Sequence, residues 1–87
     1  MPIEITLLGP TDEAYRKTYA AVQDAIAYSL QPVKLTTLDD PAQLRRRGIE
    51  VAPALLVNGQ IKATGRVPEA REIVTWIMNA ALLEEPH

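Results

Sequence analysis

The feature that most constrains the fold is the dipeptide Asn58-Gly59, which separates two short strand-like runs. The first run extends from Ala54 to Val57 and the second from Gln60 to Gly65. A type I′ turn requires positive φ at both central residues, and Asn-Gly satisfies that requirement well. The sequence therefore predicts an antiparallel β-hairpin, around which the other elements must be arranged.

Two more strands and a long helix are predicted before the hairpin. The apolar run from Ile3 to Leu8 predicts a buried strand, and Val33 to Leu38 predicts a second. From Asp12 to Leu30 the chain has neither Gly nor Pro, which favours a helix. A helical connection of this length allows the two strands to be parallel. The predicted apolar face of the helix consists of Tyr15, Tyr19, Val22, Ile26 and Leu30.

Two further helices flank the hairpin. In a short helix, Asp40-Pro41 supplies an N-cap and a first-position proline, and Gly48 is placed to end the helix. Its arginine triplet, Arg45-Arg46-Arg47, suits the helix dipole and predicts a solvated helix end rather than an anion site. The last helix is predicted from Glu69 to Leu83. Its predicted apolar face consists of Ile73, Val74, Ile77, Met78 and Ala81.

The assembled order is β-α-β-α-β-β-α, which predicts an α/β fold with a mixed four-stranded sheet and helices on both faces. We expect residues 1–83 to form a single domain and residues 84–87 to form a flexible tail. The hydrophobic fraction of 47% is sufficient for a packed core.

Composition excludes several classes of function. A net charge of -2 argues against a nucleic-acid partner, and no apolar run reaches the roughly 20 residues of a membrane helix. The N-terminal residues show no secretory signal, so we expect a cytoplasmic location without membrane association. The chain has no cysteine and only one histidine, His87, so it lacks the residues for thiol chemistry, a Ser-His-Asp triad or a histidine metal site. We expect neither a metal nor a cofactor.

Three segments in combination resemble a known family. They are Leu8-Gly9-Pro10, the run from Val51 to Gly59, and Gly65-Arg66-Val67-Pro68. In this order, over roughly residues 3–78, the chain resembles the small single-domain thioredoxin- and glutaredoxin-like proteins often called redox-active disulfide proteins. The resemblance implies a thioredoxin-like fold and makes Ala52-Pro53 a candidate cis peptide bond.

The sequence departs from that family at its reactive motif. The family has Cys-x-x-Cys after its first strand, and alignment on Gly9-Pro10 puts Asp12 and Tyr15 at those two positions. A carboxylate cannot form or break an S–S bond, so we expect this degenerate member not to be a thiol-disulfide oxidoreductase. Asp12 instead suits the N-cap of the first helix, with Thr11 as the competing residue. Tyr15 is expected to be a packed aromatic residue.

The resemblance also implies a binding groove, which favours a protein- or peptide-binding or structural module. Within it, Arg66 would favour an acidic or C-terminal group. The alternative is an enzyme of non-thiol chemistry, or a glutathione-type binder, with the hydroxyl of Tyr15 or Thr11 in place of the cysteine. The groove residues transferred from the family are Thr11, Asp12, Tyr15, Ala52, Pro53, Gly65 and Arg66.

Trp76 is a separate candidate for a protein contact. If Ile73, Ile77 and Met78 face the sheet, Trp76 lies off that face, with Ala80 and Leu83 nearby. An exposed apolar stripe of this kind suits a partner or homodimer contact.

Overall fold

The computed structural model describes residues 2–83, and the expected flexible tail at 84–87 and His87 lie outside the described residues. The order of elements confirms the predicted β-α-β-α-β-β-α arrangement. The elements are β1 (Ile3–Leu8), α1 (Glu13–Ser29), β2 (Val33–Leu38), α2 (Pro41–Arg46), β3 (Ala54–Val57), β4 (Gln60–Thr64) and α3 (Ala70–Leu83).

The four strands form one mixed sheet in the order β2-β1-β3-β4. β1 and β2 are parallel, with Ile3 opposite Val33, because α1 returns the chain to the end of the sheet at which β1 begins. β3 is antiparallel to both β1 and β4. The predicted α/β fold with a mixed sheet is therefore confirmed.

The hairpin turn has the predicted geometry. Asn58 has a φ of 50° and Gly59 a φ of 81°, as a type I′ turn requires. The turn is also bonded to β1: the Asn58 N–H donates to the Glu4 carbonyl at 2.7 Å, and the Glu4 N–H donates to Asn58 Oδ1 at 2.9 Å. One β-bulge interrupts the β3–β4 register between Leu55 and Leu56. These bonds hold the hairpin against the central strand.

The two faces of the sheet bury different clusters because successive side chains of a strand point to opposite sides. On one face, Ile3, Ile5 and Leu7 pack beneath α1 and α3. On the other face, Leu8 and the even-numbered residues of β3 pack with the segment around α2. This second cluster consists of Leu8, Leu44, Ile49, Ala54 and Leu56.

The short helix α2 begins and ends as predicted. Asp40 Oδ1 accepts from the Ala42 N–H at 2.9 Å, which makes Asp40 the N-cap. Beyond the helix, Gly48 has a φ of 69°, and the Ile49 N–H donates to the Leu44 carbonyl at 2.9 Å. Leu44 and Ile49 are both buried, so the end is a Schellman motif with its usual apolar contact.

The apolar face predicted for α1 is wrong in part. Tyr15 and Val22 are buried, but Tyr19 is exposed and Leu30 is 88% exposed beyond the helix end. Small and hydroxyl residues face the sheet instead, because their short side chains allow close packing. The Thr18 and Ser29 hydroxyls are buried at little cost since they donate to carbonyls within the helix. The buried face of α1 is Tyr15, Thr18, Val22, Ala25 and Ser29.

The face predicted for α3 also requires a correction. Ile73 and Ile77 are buried as expected, but Ala80 completes the buried stripe and Met78 is exposed. Residues 73, 77 and 80 are separated by four and three positions, so they lie on one side of the helix. Met78 directly follows Ile77, so the helical rotation turns its side chain away from that side. No helix within residues 2–83 is both long and apolar enough to cross a membrane.

We predict that the core of the sheet accounts for much of the stability. Ile5→Ala should lower the free energy of unfolding by about 2–5 kcal/mol, because it leaves a cavity at a fully buried site on a central strand. Ile61→Ala removes the same atoms from a half-exposed position on the edge strand and should cost about 1 kcal/mol or less. Urea denaturation of both variants measures the difference, and equal losses would contradict this description of the core.

Candidate functional site

Three loops meet at one end of the sheet, and two glycines permit their close approach. A side-chain carbon placed on Gly9 would lie 3.3 Å from both the Ala52 Cβ and the Pro53 Cα. The Gly65 N–H donates to the Pro53 carbonyl at 2.9 Å. Pro53 is buried at this junction, and the Ala52-Pro53 peptide bond is cis. The loops after β1, before β3 and after β4 therefore form one surface.

Asp12 is the N-cap of α1. Its Oδ1 accepts from the Tyr15 N–H at 2.9 Å, while the adjacent Thr11 is exposed and offers only its carbonyl, to Arg16 Nη1 at 3.1 Å. Of the two candidate cap residues, the structure selects Asp12. The carboxylate thus occupies the helix N-terminus, where it satisfies a backbone N–H and is favoured by the helix dipole.

Tyr15 belongs to the core rather than to the groove surface. Its side chain is buried in the main cluster beneath α1 and α3. The hydroxyl has no hydrogen-bond partner within residues 2–83, yet it is not a buried unsatisfied group, so its tip reaches the surface. The ring is therefore packed in the core, as its sequence position predicts.

Arg66 is already paired within the chain. Its guanidinium binds both carboxylate oxygens of Glu72, with Nη1–Oε1 at 3.2 Å and Nη2–Oε2 at 3.0 Å. These bonds hold the pKa of the Glu72 carboxyl below its usual range, aided by the Glu69 N–H, and raise the pKa of Arg66. Arg66 therefore links the loop before α3 to that helix. Its guanidinium is bound to Glu72 and is not positioned to attract an acidic ligand.

Two exposed valines at the junction were not identified from the sequence. Val51 is 57% exposed and lies directly over Gly65, since a side-chain carbon on that glycine would be 2.5 Å from the Val51 Cγ1. Val67 is 38% exposed and, with Asp12 and Lys17, lines a shallow cleft of about 360 Å³. Their sequence context could have indicated their exposure, because each is an apolar residue within a loop rich in Gly and Pro.

Unpaired backbone groups lie next to each of these valines in the chain. Within residues 2–83, neither the N–H nor the carbonyl of Ala52 has a hydrogen-bond partner, and the same holds for the N–H groups of Arg66 and Val67. Ala52 is half-buried. The site thus combines free backbone donors and acceptors with flanking apolar side chains.

The described residues offer little for catalysis or metal binding. Residues 2–83 contain no group of three or more His, Asp or Glu side chains arranged to hold a metal ion. Across the same part of the chain, no basic side chain is hydrogen-bonded to the hydroxyl of Thr11 or Tyr15. A hydroxyl nucleophile would need such a base for activation.

Trp76 is half-buried against the main cluster, and the stripe predicted around it does not form as expected because Ala80 is buried. Its exposed edge lines a small cleft of about 100 Å³ with Gln60, Lys62 and Asn79. A partner contact at Trp76 stays a prediction.

The family model for the thioredoxin domain matches residues 1–78. The chain belongs to the thioredoxin domain family. It is a member without the Cys-x-x-Cys motif, since it contains no cysteine. No curated protein matches it by sequence.

Solved structures support the same fold. The thioredoxin domain superposes on thioredoxin-2 of the malaria parasite, a component of its protein secretion machinery, with a TM-score of 0.70 and 13% identity over 90% of this chain and 82% of that chain. A protein of unknown function from Staphylococcus aureus superposes with a TM-score of 0.67 and 15% identity over 98% of this chain and 95% of that chain. At these identities the likeness establishes the fold alone.

We predict that the contact between Val51 and Gly65 limits substitution in this thioredoxin domain. Gly59→Ala imposes only the penalty of positive φ, about 1–2 kcal/mol, because nothing lies within 4 Å of the added carbon. Gly65→Ala imposes a similar φ penalty and also a clash with Val51, so it should destabilise the domain more. Adding Val51→Ala should recover part of that excess in thermal unfolding. An equal effect of the two alanine variants would contradict the close approach.

Proposed function

We propose that this thioredoxin domain is a redox-inactive module that binds an extended peptide segment of a partner protein. The peptide would lie across the groove formed by Val51, Ala52, Pro53, Gly65 and Val67. The observation that carries the proposal is the pair of unpaired backbone groups on Ala52, next to the exposed side chain of Val51.

The backbone of Ala52 offers what an extended peptide needs. One residue that presents a free N–H and a free carbonyl resembles a position on a sheet edge, to which a peptide adds through main-chain hydrogen bonds. Such bonds are independent of the peptide's sequence and require no sulfur. Because Gly65 bonds to the Pro53 carbonyl, the loop that presents Ala52 is anchored before a peptide arrives.

The two valines would give the groove its preference. Successive side chains of an extended peptide point to opposite sides, so alternate residues would face the domain. Val51 and Val67 would contact those residues, and burial of apolar surface would favour aliphatic or aromatic side chains there.

The charges around the groove are mostly paired. Arg66 is bound to Glu72, and Lys17 Nζ lies 3.2 Å from Glu13 Oε1. Because Arg66 donates two hydrogen bonds to Glu72 and the exposed side chains of Val51 and Val67 are apolar, we propose an uncharged apolar segment as the ligand. The alternative of a non-thiol enzyme is not favoured, because neither candidate hydroxyl has a basic partner within residues 2–83. The cytoplasmic location stays a prediction.

We predict that the valines are required for peptide capture. Immobilised wild-type domain should enrich apolar, extended sequences from a phage-displayed library of random peptides. The Val51→Asp/Val67→Asp variant should bind a synthetic peptide of the enriched sequence at least about tenfold more weakly, because a charge on each side of Ala52 opposes apolar contact. Fluorescence anisotropy measures the affinity.

The matched control for this experiment is Ile61→Asp, which places a charge on a half-exposed strand residue outside the groove. Its affinity should equal that of wild type. Amide chemical-shift changes on peptide addition should centre on Ala52 and Val67. Equal binding by all three proteins, or shifts confined to another surface, would eliminate the groove as the peptide site.

We also predict that the domain fails to accelerate the reduction of insulin by dithiothreitol. The reaction requires a cysteine pair that cycles between dithiol and disulfide, and the chain has no cysteine. Turbidity from the precipitating insulin chains measures the rate, with a thioredoxin that retains Cys-x-x-Cys as the positive control. A clear acceleration would contradict redox inactivity.

A further inference from the structure

A second surface lies between α1 and α3. Trp76 is not among the residues that line it. A concave pocket of about 280 Å³ is lined there by Asp24 and Tyr28 of α1 and by Ala70, Arg71 and Val74 of α3. Tyr28 is 78% exposed, although its aromatic ring is one of the largest apolar groups in the chain. The pocket is distinct from the groove around Pro53.

The apolar surface continues along α3. Met78 and Leu82 follow Val74 by four and eight residues, so helical spacing places them on the same side of the helix. Both are exposed, Leu82 by 69%. Soluble monomers rarely leave a contiguous apolar surface of this kind uncovered. An occupant of this surface must also match the charges of the pocket.

The two walls of the pocket carry opposite charges. Asp24 lies on the α1 wall and has no ionic partner within residues 2–83. Arg71 lies on the α3 wall, and its Nε is 2.7 Å from Glu69 Oε2 in a pair whose side chains are both largely exposed. An exposed pair of this type contributes little, so Arg71 is available to a second anion.

We propose that this surface binds a second copy of the chain about a two-fold axis that passes through the pocket. Rotation by 180° about such an axis exchanges the two walls. Asp24 of each copy would then lie over Arg71 of the other, and Tyr28 of each would cover Val74 of the other. A two-fold interface must be self-complementary in this way, and opposite charges on the two walls meet that condition.

Paired charge reversal tests the proposal. Wild type should show a concentration-dependent dimer in analytical ultracentrifugation. Asp24→Arg places two cations together at each of the two symmetric contacts of a dimer, and Arg71→Glu places two anions together there. Each variant alone should therefore raise the dimer dissociation constant at least about tenfold. In an equimolar mixture of the two variants, the two-fold axis of a heterodimer places each wall of one variant against the opposite wall of the other.

The expected behaviour of the mixture follows from that exchange. In a heterodimer, the substituted cation of the Asp24→Arg chain faces the substituted acid of the Arg71→Glu chain, and the unchanged Arg71 of the first chain faces the unchanged Asp24 of the second. Both contacts again join opposite charges, so a heterodimer of near wild-type affinity should form.

The controls are Asp39→Arg and Arg46→Glu, which make the same charge changes at exposed positions outside the pocket lining. Both should dimerise as wild type does, and far-UV circular dichroism verifies that every variant is folded. Recovery of the dimer only in the mixture supports the proposal. A wild-type chain that stays monomeric at about 1 mM overturns it, as does a dimer that neither variant weakens or that the mixture fails to restore.

Discussion

β1 is paired on both edges, is buried along one face and is buried at Leu8 on the other, and the arrangement of the sheet and helices depends on it. Its odd-numbered residues pack beneath α1 and α3, while Leu8 packs toward α2. Its edges bond to β2 in parallel and to β3 in antiparallel orientation. Since Gly9 follows this strand directly and lies against Pro53, the packing of β1 also places the candidate groove.

The candidate groove combines close backbone contacts with residues that carry no thiol. Gly9, Pro53 and Gly65 bring three loops together through close contacts that a larger side chain would disturb. At the helix start, where redox-active relatives have a cysteine pair, Asp12 caps the backbone and Tyr15 packs into the core. The candidate groove presents backbone and apolar surface, and none of its residues is a cysteine.

Local sequence signals predicted much of this structure. Asn58-Gly59 predicted the turn because few residue pairs accept two positive φ angles, and Asp40-Pro41 predicted a helix start for an equally local reason. The helix faces were harder, because Thr18 and Ser29 are buried through hydrogen bonds to their own helix, which hydrophobicity does not register. The binding groove stays a prediction, and Val51 and Val67 were not among its predicted residues because loop exposure depends on how distant segments pack.

The sequence by itself determined the element order, the hairpin, the absence of cysteine and membership in the thioredoxin domain family. These follow from backbone preferences and residue types that act within a few positions of the chain. Only the tertiary structure decided that Asp12 rather than Thr11 caps α1, that Arg66 is committed to Glu72, and that Asp24 and Arg71 lie on opposite walls of one pocket. Each of these depends on where side chains lie in space, and for the last two on segments that the folded sheet brings together.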